Sequence, residues 1–147
     1  MGPEQLRVLL VEDNPGDVRL TEEAFKDANV QINLYVAQDG IEAMDFLYRK
    51  GSFCQSPRPD LILLDLNLPR MDGRDVLAEI KVHPKLKAIP VVILTTSSSE
   101  VDVESSYMLH ANCYISKPLE IERFLTVVRS IDNFWLSMVS LPPQEQT

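Results

Sequence analysis

The sequence is poor in cysteine and in basic residues, and it contains no long apolar run. Its two cysteines, Cys54 and Cys113, form neither a metal-ligand spacing nor a disulfide framework. No stretch approaches the roughly 18 apolar residues that a membrane span requires, and no secretory signal is recognisable before the first apolar segment. These absences exclude a disulfide-stabilised secreted domain and a transmembrane protein, and they predict a cytoplasmic location.

Acidic residues outnumber basic ones. The sequence has 22 aspartates and glutamates against 14 lysines and arginines, which gives a formal net charge of -8. Sequence-independent nucleic-acid binding relies on clustered cations, and so does docking to anionic membranes. We therefore expect neither nucleic acid nor a membrane as a partner. With 147 residues the chain is long enough for one domain, which at this length buries roughly 70% of its unfolded surface.

Short apolar segments alternate with longer amphipathic ones along the chain, without any internal repeat. The apolar segments predict five strands, at residues 6–11, 32–37, 61–66, 90–95 and 112–116. Helical spacing and start signals predict a helix after each strand: after Asn14, after Asp39, after Asp72, over residues 100–111, and from around Pro118. Five such units predict an α/β fold, a doubly wound five-stranded parallel sheet with helices on both faces.

The second helix has both a start signal and a stop signal. Asp39 is a suitable N-cap, and Ile41, Met44 and Tyr48 recur on one face of the predicted helix. Gly51 stands where such helices stop, since glycine readily adopts the left-handed conformation that follows a helix.

Polar side chains stand at the ends of four of the predicted strands. Glu12 and Asp13 follow the first strand, Asp65 lies at the end of the third, Thr95 ends the fourth, and Lys117 follows the fifth. Doubly wound sheets bind ligands at the carboxyl ends of their strands, where the strand order reverses. Taken singly, each residue has an ordinary explanation as a helix cap, a turn residue or a solvated surface group. Together they fit one chemistry, phosphoryl transfer to a carboxylate.

The acids at the strand ends predict a metal site beside a nucleophile. Carboxylates that pack together repel one another and need a cation. A set of oxygen ligands suits Mg²⁺, which prefers octahedral coordination. The metal would neutralise charge on the incoming phosphoryl group and leave Asp65 free to attack as the nucleophile. Lys117 and the Thr95 hydroxyl would then hold the phosphoryl oxygens.

These strand-end residues belong to longer motifs that resemble a known family. The motifs are Glu12 with Asp13, Asp65 with the segment 67–73, Thr95, and Tyr114 three residues before Lys117 and Pro118. In this combination they resemble the receiver domain of response regulators in two-component signalling, over about residues 6–133. The resemblance implies the (βα)₅ flavodoxin-like receiver fold. We expect a receiver domain over residues 1–141 with an extended last helix, a short tail over residues 142–147, and no output domain.

The resemblance implies a role for each acidic residue, with Asp65 as the phosphoacceptor. Mg²⁺, with Mn²⁺ or Ca²⁺ able to substitute, is expected on Asp13, on Asp65, on the backbone carbonyl of Asn67 and, through water, on Glu12. The chain would then be a phosphoacceptor signalling protein rather than an enzyme with an external substrate. It would catalyse its own Mg²⁺-dependent phosphorylation and dephosphorylation.

The resemblance also implies a route by which the signal leaves the site. Lys117 would bind the phosphate, Thr95 would move towards it, and Tyr114 would turn inwards as the second member of a switch pair with Thr95. This movement would shift the balance between two conformations of a protein-interaction surface. The alternative for Tyr114, a half-exposed aromatic of the fifth strand, looks identical in the sequence.

The last helix is apolar around more of its circumference than a core contact needs. Beyond the stripe that faces the sheet, further apolar residues widen the arc to roughly 220°, against the ~100° of an ordinary core-facing stripe. One interpretation is that the tail folds back over this surface, and the other is a homodimer through the last helix. The predicted dimer surface consists of Val127, Phe134, Met138 and Leu141.

Further segments resemble one subgroup of the family. The runs at 12–18, 83–87 and 134–136 are similar to stand-alone response regulators that pair with phytochrome-type histidine kinases in cyanobacteria. This similarity implies a phytochrome-type sensor histidine kinase as phosphodonor and a symmetric receiver dimer. The output would be a change in binding to a downstream protein.

Three other functions compete with this interpretation. A phosphohydrolase with an aspartyl-phosphate intermediate characteristically has a second acid two residues after its nucleophile, where this chain has Asn67. A binding module could keep the receiver fold without phosphorylation, although the intact set of acids, Thr95 and Lys117 speaks against it. A flavin- or nucleotide-binding domain would need a Gly-rich phosphate loop after the first strand, where segment 12–16 is acidic instead.

Overall fold

The computed structural model describes residues 6–29, 31–66, 68–95, 113–116 and 121–129. In this part of the chain five strands form one sheet: β1 (Leu6–Val11), β2 (Ile32–Ala37), β3 (Leu61–Asp65), β4 (Val91–Thr95) and β5 (Cys113–Ser116). All neighbouring strands are parallel, and their order is β2-β1-β3-β4-β5. The predicted parallel sheet is confirmed, and each strand begins and ends within one residue of its predicted bounds.

Helices follow the first three strands and the fifth. They are α1 (Pro15–Asp27), α2 (Gly40–Tyr48), α3 (Gly73–Val82) and α4 (Ile121–Arg129), with a 3₁₀ turn at Gly51–Phe53. The helix that the sequence predicts over residues 100–111 lies outside the described residues. Among the described helices, none has the length and apolar character that crossing a membrane would require.

The sheet separates two apolar cores, one on each face. Successive strand residues alternate between them, so that in β3 Ile62 belongs to one core and Leu63 to the other. Side chains of α2 and α3 complete the first core, and those of α1 and α4 complete the second. There Phe25 of α1 meets Phe124 of α4 edge-on, with ring centroids 5.0 Å apart. Coverage of both faces explains why β3 is a continuous apolar run.

Three helices begin at the caps that the sequence predicts, which are Asn14 for α1, Asp39 for α2 and Asp72 for α3. The Oδ1 atom of Asn14 accepts hydrogen bonds from the backbone N–H groups of Gly16 at 2.8 Å and Asp17 at 3.1 Å. The Oδ1 atom of Asp72 accepts one from the N–H of Arg74 at 2.7 Å. These bonds satisfy donors that have no partner within the helix. They also start α1 and α3 directly behind the polar ends of β1 and β3.

The apolar residues that recur on one face of α2 differ in burial. Met44 is buried and Tyr48 packs against the same core, whereas Ile41 is 38% exposed. The buried positions are Gly40, Ala43, Met44 and Phe46. Gly40 packs against the segment before α3, and each residue turns the helix by about 100°. Ile41 is therefore directed away from that contact.

The end of α2 also differs from the prediction at Gly51. Arg49 is the C-cap, in the left-handed conformation with φ of 58°. Its N–H donates to the Phe46 carbonyl at 3.2 Å, and the Lys50 N–H donates to the Asp45 carbonyl at 2.9 Å. These bonds satisfy the last carbonyl groups of the helix. Gly51, with φ of 57°, begins the 3₁₀ turn instead.

Candidate functional site

The pairing of β1 with β3 brings the acids of the two strand ends together. Val11 is paired with Leu64 in the parallel register, so the next residue of each strand, Glu12 and Asp65, lies at the same level. Carboxylate oxygens of Glu12, Asp13 and Asp65 all lie within 4.8 Å of one another. The structure therefore assembles the three acidic side chains that the sequence predicts as one site.

The three acids differ in their exposure to solvent. Glu12 is 2% exposed and Asp65 is 5% exposed, whereas Asp13 lies at the surface. The N–H of Glu12 donates to the Ala37 carbonyl of β2 at 2.9 Å, and its Oε2 accepts from the Asn14 N–H at 3.2 Å. The site thus has a buried floor, formed by Glu12 and Asp65, and an open side at Asp13.

The chemistry of this donor set fits a divalent cation. Three carboxylates within 4.8 Å of one another repel when ionised, and burial of two of them raises the cost of their charge. A cation bound among them relieves both costs. All the side-chain donors are oxygens, the ligands that Mg²⁺ and similar hard cations prefer. Asp13 lies on the open side, where an ion can enter from solvent.

The first residue of α3 holds the backbone of Asp65 in place. The N–H of Gly73 donates to the Leu66 carbonyl at 3.0 Å. A Cβ atom at Gly73 would lie 2.2 Å from the Asp65 carbonyl oxygen and 2.7 Å from the Leu66 Cα. Only glycine allows this approach, because side-chain-bearing residues do not tolerate contacts that short. The sequence marks Gly73 as a helix start, but not this contact.

The N-terminus of α2 holds the segment between β3 and α3. A Cβ atom at Gly40 would lie 2.2 Å from the Met71 carbonyl oxygen. Arg70, in the left-handed region with φ of 68°, places its Nε 3.4 Å from Asp39 Oδ2. Asp39 Oδ1 meanwhile accepts from the Glu42 N–H at 2.7 Å and caps α2. This set of contacts has no local signal in the sequence, since it joins segments about thirty positions apart.

Of the remaining predicted residues, Thr95 and Tyr114 lie on the neighbouring strands β4 and β5. Asp65 is paired with Leu94, and the next residue of β4, Thr95, is paired with Ser116 of β5. Thr95 ends β4, and Tyr114 is paired with Ile93. Of the predicted dimer residues, Val127 belongs to α4. The predicted residues that lie outside the described ones are Asn67, Lys117, Phe134, Met138 and Leu141.

A cleft of about 530 Å³ opens beside the acidic site. Glu12 and Asp13 line it together with Val18 and Arg19 of α1 and Val36 of β2. The cleft therefore adjoins two of the three acids.

Comparison with known proteins assigns the family. A family model of the response regulator receiver domain matches residues 8–129, from β1 to the end of α4. The chain belongs to this family. The response regulator Rcp1 of Synechocystis sp. is 52% identical over 135 residues, which cover 92% of each chain.

Solved structures of receiver proteins agree with this assignment. The structure of the Mn²⁺-bound form of response regulator Rcp1 has a TM-score of 0.74 and 51% identity, and the match covers 93% of this chain and 99% of that one. The phosphorylated cyanobacterial phytochrome response regulator RcpA has a TM-score of 0.75 and 49% identity, over 95% of this chain and 99% of that one. The predicted family and receiver fold are confirmed, and the chain is related to phytochrome response regulators. The roles of individual site residues stay predictions.

Proposed function

We propose that this receiver is the phosphoacceptor of a two-component phosphorelay and takes a phosphoryl group from a sensor histidine kinase onto Asp65. The observation that carries the proposal is the convergence of Glu12, Asp13 and Asp65 within 4.8 Å at the carboxyl edge of a receiver sheet. Carboxylates that are grouped this closely repel one another when ionised, so their grouping calls for a functional reason. Phosphoryl transfer supplies that reason.

The metal of this proposal is Mg²⁺, with Mn²⁺ or Ca²⁺ able to substitute. Asp13 and Asp65 would hold it directly, Glu12 through water, and Asn67 through its backbone carbonyl. When bound, the cation supplies positive charge that offsets the carboxylates and the incoming phosphoryl oxygens. The Mn²⁺-bound form of Rcp1, a relative 51% identical to this chain, supports a divalent cation here.

The chemical step belongs to the residues of the chain itself. A carboxylate oxygen of Asp65 attacks phosphorus, the bond from phosphorus to the histidine nitrogen of the kinase breaks, and the imidazole leaves with the electron pair. The Lys117 ammonium and the Thr95 hydroxyl would hold phosphoryl oxygens during the transfer. Water later cleaves the acyl phosphate and returns the Asp65 carboxylate. The chain thus catalyses its own phosphorylation and dephosphorylation.

The output of the proposed relay is a change in protein binding. The phosphoryl group adds negative charge and strong acceptor oxygens at Asp65. Thr95 and Tyr114 form the proposed switch pair, which shifts the population of two surface conformations. The two residues occupy the neighbouring strands β4 and β5, an arrangement that supports their coupling.

The proposed phosphodonor is a phytochrome-type sensor histidine kinase in the cytoplasm. Relatedness to a cyanobacterial phytochrome response regulator, RcpA, at 49% identity supports this choice. The proposed receiver domain covers residues 1–141 and is followed by a short tail over residues 142–147. The proposed output is a change in binding to a downstream protein at the switched surface.

Phosphorylation in vitro tests the proposed chemistry. Incubation with acetyl phosphate and Mg²⁺ should add one phosphoryl group to the wild type, and chelation of the metal should prevent it. Asp13→Asn should slow labelling by at least about tenfold, since it removes one metal ligand and its charge. Intact-protein mass spectrometry over time measures both effects.

A matched variant separates the metal site from net charge. Glu23→Gln removes one exposed negative charge of α1 outside the acidic cluster, so it should be labelled at the wild-type rate. Equal slowing in Glu23→Gln and Asp13→Asn would contradict the assignment of Asp13 as a metal ligand. Metal-independent labelling of the wild type would contradict the proposed mechanism.

The proposed homodimer uses Val127, Phe134, Met138 and Leu141. Phe134→Glu should weaken self-association by at least about tenfold, because it places a charge in an apolar contact that desolvates it. Sedimentation velocity at several protein concentrations measures the effect. An exposed phenylalanine that contributes to no interface would leave the sedimentation coefficient unchanged at high concentration, and this result would refute the dimer surface.

A further inference from the structure

A second cleft lies at the opposite end of the sheet from the acidic site. Its volume is about 410 Å³, and it is formed by the end of α2, the segment before β3 and the turn after α3. Pro59 lines the cleft just before β3 begins, whereas Asp65 ends that strand. The five residues of β3 span roughly 13 Å at about 3.3 Å per residue. This end of the molecule is therefore separate from the proposed phosphoacceptor site.

The cleft concentrates positive charge on a protein whose net charge is -8. Arg49, Arg58 and Lys85 line it, and no carboxylate residue stands among the described residues that do. Two ion pairs in the described part of the chain involve other cations, Arg70 and Arg74. Elsewhere the excess of acids repels anions, but here three cations face one cavity with no carboxylate among its described lining residues.

Hydrogen bonds connect two of the three segments and fix the Arg58 side chain. A guanidinium N–H of Arg58 donates to the Lys85 carbonyl, which ties the segment before β3 to the turn after α3. The Lys85 N–H donates to Nδ1 of His83 at 3.0 Å. Because Nδ1 accepts this bond, a neutral His83 carries its own N–H at Nε2 and can offer it to a ligand. Arg58 and His83 thus supply hydrogen-bond donors from two segments that are bonded to each other.

Tyr48 forms an aromatic wall whose polar end is already engaged. Its ring centroid lies 5.4 Å from that of His83, and the Nζ of Lys50 lies 5.3 Å from it. Its hydroxyl donates to the Glu79 carboxylate, and this bond raises the pKa of Tyr48 to about 12. One oxygen of Glu79, next to the cleft, accepts this bond, and Tyr48 stays neutral throughout the physiological pH range.

We propose that this cleft binds an acidic peptide segment of a partner protein. Carboxylates of the peptide would pair with Arg49, Arg58 and Lys85, and an apolar side chain next to them would pack on Pro59 and the adjoining leucine side chains. The combination of cations with apolar and aromatic walls matches the mixed side chains of a peptide. A cavity of about 410 Å³ exceeds what a lone inorganic anion fills.

A nucleic acid is a less suitable ligand for this basic cleft than an acidic peptide. A polynucleotide continues past the cleft in both directions and would meet the acidic remainder of a chain of net charge -8. A short acidic peptide segment, in contrast, need not extend beyond the three cations of the cleft. A partner bound here leaves the acidic edge open, so the receiver could be held near a target while a kinase acts at Asp65.

Titration with a defined probe tests this inference. The probe is a fluorescein-labelled peptide of alternating glutamates and leucines, followed by fluorescence anisotropy at low and physiological ionic strength. We expect saturable binding that weakens with salt. Lys85→Glu should weaken it on the order of tenfold, since it replaces an attractive charge by a repulsive one. Labelling of Lys85→Glu by acetyl phosphate should equal that of the wild type.

Lys26→Glu is the matched control, because it makes the same charge change at an exposed residue of α1 that does not line the cleft. It should alter peptide binding less than about twofold. Arg49→Gln provides a second test of the cleft if Lys85→Glu folds poorly. The inference is overturned by absence of saturable peptide binding or by equal losses in Lys26→Glu and Lys85→Glu. Tighter binding of a labelled oligothymidine than of the peptide also overturns it.

Discussion

Asp65→Asn should lose Mg²⁺-dependent phosphorylation completely while keeping the fold of the wild type. The amide is a much weaker nucleophile than the carboxylate, and it cannot form a stable acyl phosphate. Stability should fall by no more than about 1 kcal/mol, because the substitution preserves shape and removes one of three mutually repelling carboxylates. Intact-protein mass after acetyl phosphate treatment measures the first effect, and thermal unfolding measures the second.

An exposed aspartate provides the control for this change. Asp75→Asn makes the same substitution at an exposed position in the first turn of α3, and it should be labelled as fast as the wild type. Full labelling of Asp65→Asn would show that another residue accepts the phosphoryl group. Peptide sequencing that places the phosphoryl group of the wild type on a different aspartate would lead to the same conclusion.

Gly73→Ala should destabilise the protein by about 3 kcal/mol and slow its phosphorylation. The new methyl group would lie 2.2 Å from the Asp65 carbonyl oxygen. The backbone fixes the position of both atoms, so no side-chain rotation can relieve the clash. Alanine favours a helix over glycine by up to about 1 kcal/mol, so the clash must outweigh this gain. Relief of the clash would displace Asp65, and with it the acidic site.

A second glycine separates this steric effect from backbone strain. Gly51 has a φ of 57°, and a methyl group added there would meet no atom within 4 Å. Gly51→Ala should therefore cost only about 1 kcal/mol and leave phosphorylation unchanged. Chemical denaturation of both variants gives the two free energies of unfolding. A loss in Gly73→Ala no larger than that in Gly51→Ala would contradict the close approach at Asp65.

The strands, most helix starts and the acidic part of the site could be predicted from local sequence patterns. Strands covered on both faces need apolar side chains on both, and this requirement leaves a local signal such as residues 61–64. Asn14 and Asp72 mark helix starts because their side chains bond N–H groups only two or three residues away. The acids were predictable because parallel strands bring their carboxyl ends to one edge.

Features that depend on residues far apart in the chain could not be predicted from the sequence. The exposure of Ile41 follows from the contact of Gly40 with Met71, and the ion pair of Arg70 with Asp39 joins the same two segments. The basic cleft draws its cations from three separate segments. None of these features has a local pattern, because each arises only when the sheet has formed and brought those segments together. Hydrogen bonds between neighbouring residues can be predicted from the local sequence. Packing between distant elements cannot, because it depends on which segments the folded chain brings into contact.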